Sequence, residues 1–358
     1  MLKALCQSLC LSLPLAADAQ AASVVFLNPG LPSETFWVNY SRFMQAAADD
    51  LGMSLQVQYS ERSAERALIQ AQTLLAGPQR PDYLVLVNEQ YVAPEIIRLS
   101  QGTGVKLFMV SNGLTASQAS SIQAQPGKYS QLLGTLTAND EQAGYQMLHQ
   151  MVAMLPRSNE PVDLVAFAGV KTTPASQLRE AGMRRALADF PQVRLRQVVY
   201  GGWSRQRAYE QAQQLLQRYP DTQLVWSAND EMAFGAMRAF EAAGRVPGQD
   251  VVFSAVNSSP EALRARVDGR LGVLMGGHFT LGGWAMVMLH DDALGLPINR
   301  DGLREHRVPV LQSIDQAKAR RWLKLLEQDD HGVNFHTYSA EGRPADYQYP
   351  FLTSPVDY

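Results

Sequence analysis

The sequence predicts an α/β protein built as two similar doubly wound lobes, because apolar strand-like runs alternate with amphipathic stretches and the whole alternation is written twice. The spacing is the third sign. Val24, Val57 and Val85 stand 33 and 28 residues apart, while Val165, Val198 and Val225 stand 33 and 27 apart. Matching intervals in the two halves point to two lobes of one design rather than one large sheet.

Taken in order, strands are expected over residues 24–28, 55–59, 83–88 and 106–112, each an apolar run bounded by turn residues. Between them 36–51, 64–75 and 93–99 carry apolar residues at helical three- and four-residue spacing. Residues 134–138 lead into a helix near 141–155, a first crossing between lobes. The pattern restarts with strands at 164–169, 195–202, 223–229 and 251–257. A helix over 260–267, a strand over 271–275, an apolar helix over 281–294, an extended run over 307–310 and an amphipathic helix over 313–327 follow. The tail from Asp330 reads as irregular.

Lys3, the apolar run Leu9 to Ala17, and small residues at Ala19 and Ala21 have the layout of a secretory signal peptide cleaved near Ala21. That run is too short to span a bilayer, and no other approaches the roughly 20 apolar residues a membrane helix needs. Both cysteines, Cys6 and Cys10, lie inside the signal. The mature chain therefore has no disulfide, thiolate nucleophile or Cys-ligated metal. At 358 residues with 46% hydrophobic and 18% charged residues, the chain can bury a large core. A net charge of -3 leaves no cationic excess to grip phosphates, which argues against a nucleic-acid partner.

Open α/β sheets bind small molecules at the C-terminal ends of their strands. After the first strand come Glu34, Phe36 and Trp37; after the third, Asn88; after the fourth, Ser111 and Asn112. In the second half Lys171 and Arg179 follow the first strand, Trp203 the second, Asn229 and Asp230 the third, and Asn257 the fourth; His278 follows the strand over 271–275. Aromatic rings suit the C–H faces of a polyhydroxylated ligand, and planar amide, carboxylate and guanidinium groups suit its paired hydroxyls. Each residue also has a structural reading. Asn229 or Asp230 can serve as a helix cap, Phe36 and Trp37 as core, and Arg179 as a solvent-facing arginine. Trp203, between Gly202 and Ser204, reads as placed for contact, and Trp226, inside a strand, as core.

Enzymatic motifs are weak. The histidines His149, His278, His290, His306, His331 and His336 show no ligand spacing such as HExxH, and there is no nucleophile elbow, Walker loop or Rossmann fingerprint. His290-Asp291-Asp292 ends a helix, where such residues commonly face solvent. No metal or cofactor is expected. A secreted carbohydrate-active enzyme using Glu34 and Asp230 as acid and base is the reading from another class.

The signal peptide, the doubled βα pattern and the segment ANDEMAFGAM (residues 228–237) resemble the periplasmic solute-binding proteins of the ribose-binding type. The resemblance implies two lobes joined by a three-strand hinge, closing on a sugar like a trap. It implies residues 22–135 with 277–308 in the N-terminal lobe, and 136–276 with 309–358 in the C-terminal lobe and tail. Its aromatic pair falls on Phe36 and Trp37, its arginine on Arg179, its second-lobe aromatic on Trp203 and its asparagine on Asn229. Where pentose binders carry Asp-Arg this chain has Ser111-Asn112, and Asn257 replaces an Asp. The segment PGLPSETFW, Asn112 and the extended C-terminus are similar to the autoinducer-2 receptor and to partners of sensor kinases, although the second arginine of that receptor falls on Gly276. The implied role is a monomeric periplasmic protein delivering a sugar or polyol to an inner-membrane ABC permease. The alternative partner is a sensor histidine kinase.

Overall fold

The computed structural model describes residues 21–123, 130–156, 160–299, 304–326 and 332–356. The expected signal peptide and both cysteines lie outside them. The first lobe runs β1 (Ser23–Asn28), α1 (Thr35–Asp50), β2 (Ser54–Tyr59), α2 (Ala64–Ala76), β3 (Tyr83–Leu86), α3 (Ala93–Leu99), β4 (Lys106–Ser111), α4 (Ala116–Gln123) and β5 (Leu132–Ala138). The second runs α5 (Asp140–Ala153), β6 (Val162–Ala168), α6 (Pro174–Ala186), β7 (Val193–Tyr200), α7 (Arg205–Arg218), β8 (Leu224–Ser227), α8 (Asp230–Ala242), β9 (Val252–Val256), α9 (Pro260–Val267) and β10 (Val273–Gly276). The chain then returns as α10 (Leu281–Ala293) and β11 (Glu305–Val308), crosses to β12 (Gln312–Ser313) and α11 (Gln316–Leu325), and ends with α12 (Pro350–Thr353).

The two sheets have the same order. One reads β11-β5-β4-β3-β1-β2, the other β12-β10-β9-β8-β6-β7, with every pairing parallel except that of β12. In each, the chain starts at an inner strand, adds the edge strand, then steps back across, so the first two inner strands diverge at a switch point where ligands bind. Central strands β3 and β8 are buried along their length, as parallel strands covered on both faces must be. Edge strands β2 and β7 are partly exposed instead. Trp226, read as core, is fully buried on β8.

Four crossings join the lobes: β5 to α5, β10 to α10, β11 to β12, and a last one from α11, which packs on α9, to the tail on the first lobe. The first lies at Asn139, because β5 continues to Ala138 in the first sheet, three residues beyond the boundary the sequence suggested. The Asn139 side chain donates to the Leu311 carbonyl (3.1 Å) and accepts from the Leu311 amide (2.9 Å), pairing the first crossing to the third as a strand would. The second crossing passes so near the third that a Cβ at Gly277, whose φ is +113°, would lie 2.4 Å from the Val310 carbonyl oxygen.

The tail departs from expectation. Instead of joining the second lobe, it packs on the first. Phe351 stacks on Trp284 of α10 with ring centres 4.9 Å apart, and Phe335 meets Phe43 of α1 at 5.2 Å. Asp291, expected at the solvent-facing end of α10, is wholly buried and accepts from Ser339 Oγ (2.5 Å), the Ala340 amide (2.6 Å) and Tyr349 Oη (2.8 Å). Burial acts to raise its carboxyl, but His290 and these tail donors outweigh it and hold the carboxyl below the usual range. Asp292 instead pairs with Lys106 and Tyr83, so the trio does not converge on a metal. No group of three or more metal-ligating side chains occurs among the described residues.

Asp291→Ala is expected to lower unfolding free energy by about 3 kcal/mol, because it strands several buried donors. Urea unfolding checks this, and an unchanged midpoint would mean the tail adds nothing to the first lobe. The contribution is fully present above the ordinary value of 3.8 and fades as pH falls through the lower folded value. Wild type and Asp291→Ala should therefore converge in strong acid.

Candidate functional site

Strands β1 to β10 all end at the cleft between lobes, and each delivers at least one side chain to one shared cavity. Of the residues expected from sequence, Glu34, Phe36, Trp37, Asn112, Arg179, Trp203, Asn229, Asn257 and His278 line it.

Asn88 and Asp230 do not. Asn88 is fully buried beside the wall, donating to the Gly113 carbonyl and to Gln118 while accepting from the Ala93 amide, so it shapes the loop after β3. Asp230 turns away from the cavity and accepts from Asn257 Nδ2 (2.6 Å) and Ser259 Oγ (2.5 Å). Burial pushes its carboxyl up to about 6 against the pull of these donors. With Asp230 behind the wall and Glu34 held by Arg62, the acid–base pair of the enzyme reading is not assembled.

Sequence reasoning missed Arg62, Glu89, Asp140 and Thr173. Arg62 binds Glu34 and lies 3.3 Å from Glu89. Arg179, far from facing solvent, is buried: Nε donates to Asp140 (2.7 Å) and Nη1 to the Ala228 carbonyl (2.7 Å). Burial raises the Asp140 and Glu89 carboxyls, and the neighbouring arginines oppose it. Both cavity arginines are thus engaged by protein acceptors. Burial, seconded by Arg179, holds His278 well below its usual value, so it is neutral at pH 7. Its ring stacks on Phe36 at 4.5 Å.

Two tryptophans face the cavity from opposite lobes, and each is seated on a glycine that follows the first strand of its lobe. A Cβ at Gly30 would meet the Trp37 ring at 2.1 Å, and one at Gly169 the Trp203 ring at 2.2 Å. The guanidinium of Arg179 lies 5.9 Å from the Trp203 ring centre. Trp37 Nε1, Trp203 Nε1 and His278 Nδ1 are buried without a hydrogen-bond partner. Buried polar atoms are rarely left so.

Backbone strain gathers here too. Among the described residues, the non-glycine positions with positive φ are Glu61, Arg62, Gln90, Tyr91, Ser111, Trp203 and Asn257. All follow or end strands at the cleft, where strain of this kind marks functional loops. Asn229 resolves the choice between cap and wall by doing both: Oδ1 caps the Met232 amide (3.0 Å) while the residue lines the cavity.

Residues 24–295 match the periplasmic binding protein domain. The chain belongs to that family. This periplasmic binding protein is 24% identical over 272 residues to the ribose import binding protein of Escherichia coli, a match spanning 75% of this chain and 84% of that one. A solved periplasmic sugar-binding protein from Pseudomonas fluorescens shares 55% identity with a TM-score of 0.85, covering 92% of this chain and 98% of the other. The arabinose transporter's binding protein from Shewanella sp. ANA-3, solved with L-arabinofuranose, shares the fold at 19% identity and TM-score 0.72, covering 85% and 95%.

In this periplasmic binding protein Gly169→Ala is expected to push the Trp203 ring from its seat at a cost of about 1–3 kcal/mol. The Trp203 indole N–H resonance, assigned with Trp203→Phe, should move while the far-UV circular dichroism stays. A resonance that does not move would show that the ring has room to spare.

Proposed function

We propose that this protein closes on a neutral sugar or sugar-like polyol in the periplasm and delivers it, chemically unchanged, to an inner-membrane ABC importer. The observation that carries the reading is the pair of tryptophans, Trp37 and Trp203, that line one cavity from opposite lobes beside Asn229 and Asn257. Flat rings favour the C–H faces of a ligand, and the amides of Asn229 and Asn257 suit its hydroxyls. Neutrality follows from charge pairing: Arg62 is taken by Glu34 and Glu89, and Arg179 by Asp140 and the Ala228 carbonyl. A phosphorylated sugar or a borate diester would find no free cation in the wall.

The named ligands of the relatives, ribose in Escherichia coli among them, support a sugar. Because the ligand would touch both lobes, it binds the closed form better than the open one, and only that difference drives closure. Closure would then give the importer a surface that distinguishes loaded from empty protein.

A thermal-shift panel of neutral pentoses, hexoses, furanoses and polyols, with phosphorylated sugars and autoinducer-2 beside them, tests this. A neutral sugar at 100 times its dissociation constant should add about 2.7 kcal/mol of stability. Trp203→Ala should abolish that gain and leave the apo protein folded. Asn229→Ala should abolish it too and cost about 1 kcal/mol more through the lost cap. A panel in which only anionic compounds raise the melting temperature would sink the reading.

A further inference from the structure

Helix α6 lacks a cap from its own lobe. Elsewhere Ser63, Ser204, Asn229, Ser259 and Asp315 each accept from an amide of the helix they begin. Thr173 occupies the same position before α6, with extended backbone, yet its hydroxyl makes no bond to that helix. It donates instead to Glu89 Oε1 in the first lobe, at 2.8 Å. The free Ala175 amide in the first turn of α6 donates to Asn112 Oδ1, again in the first lobe, at 2.9 Å. Asn112 Nδ2 in turn donates to Glu89 Oε2 (3.3 Å). At the rim, Gln177 Nε2 donates to Tyr91 Oη (2.7 Å).

We propose that α6 is capped in trans: Asn112 of the first lobe supplies the N-terminal cap while Glu89 holds Thr173 and Asn112, so that closing the cleft completes the helix and the closed form is populated even without ligand. The inference rests on reading the protein as a two-lobed trap. Asn112, Glu89 and Thr173 are all at least nine-tenths buried in the closed form. A helix start carries unpaired amides and partial positive charge, which an amide oxygen and a carboxylate satisfy. When the lobes part, the Ala175 amide faces water and Thr173 loses its acceptor. Asn112 Nδ2 and Oδ1 each make one of these bonds, so Asn112 is a positioning residue for closure as well as part of the cavity wall.

The test needs no ligand. Cys6 and Cys10 are replaced by Ser, and nitroxide labels are placed at Ile69→Cys in the first lobe and Val246→Cys in the second, both exposed sites. Pulsed electron–electron distances in the ligand-free protein should show a short and a long population. Thr173→Val and Asn112→Ala should each lower the short-to-long ratio about fivefold, the scale of one lost cap. Thr173→Ser keeps the hydroxyl and should keep the wild-type ratio. Identical ratios in all four proteins, or a wild type with only the long distance, would overturn the proposal. If the distances respond but no sugar stabilises the protein, the ligand reading fails and the cap stands; if sugars stabilise it and the distances do not respond, the reverse holds.

Discussion

A polar group taken out of water must be met by another, and the cleft is organised around that constraint. Closing two lobes over a cavity buries strand ends and helix starts, the parts of an α/β fold richest in unpaired amides and carbonyls. Three side chains standing where a cap belongs are diverted to long-range partners. Glu34 before α1 holds Arg62, Asn139 before α5 pairs with Leu311, and Thr173 before α6 reaches Glu89. Among the cavity-lining residues, two indole nitrogens and one imidazole nitrogen are left without a partner. Hinge, lobe contact and cavity wall are three answers to one desolvation problem.

The strained backbone belongs to the same economy. Seven non-glycine residues with positive φ cluster at cleft-facing strand ends among the described residues, and their neighbours hold them there by packing and hydrogen bonds. Trp203 is one: its ring rests on Gly169, and its carbonyl accepts from Asn229 at 3.4 Å. Walls fixed in this way suit a motion in which rigid lobes turn about the hinge, rather than one in which loops reshape around the ligand.

Much of this was legible in the sequence, and what escaped has a common cause. The doubled alternation yields both lobes because the parallel strands are nearly continuous apolar runs, and position after a strand finds most of the cavity wall. Position does not say which way a side chain turns. Asn88 and Asp230 stand at strand ends like Asn229, yet one braces a loop and the other holds Asn257 and Ser259 behind the wall. Arg62 and Glu89 were hidden because their meaning lies in each other, 27 residues apart in sequence. The tail escaped for the same reason: its aromatics follow no period, and their docking is fixed by Asp291, whose burial no local pattern announces.

That docking gives the molecule a handedness of use. The opening strand β1 and the closing helix α12 both belong to the first lobe, so the described chain starts and finishes on one side of the hinge. The second lobe is made of two stretches of chain, α5 to β10 and β12 with α11, each reached from the first lobe and left toward it. A dye or a surface attached beside β1 or α12 would share the first lobe's frame of reference, and closure would be felt there as the swing of the other half.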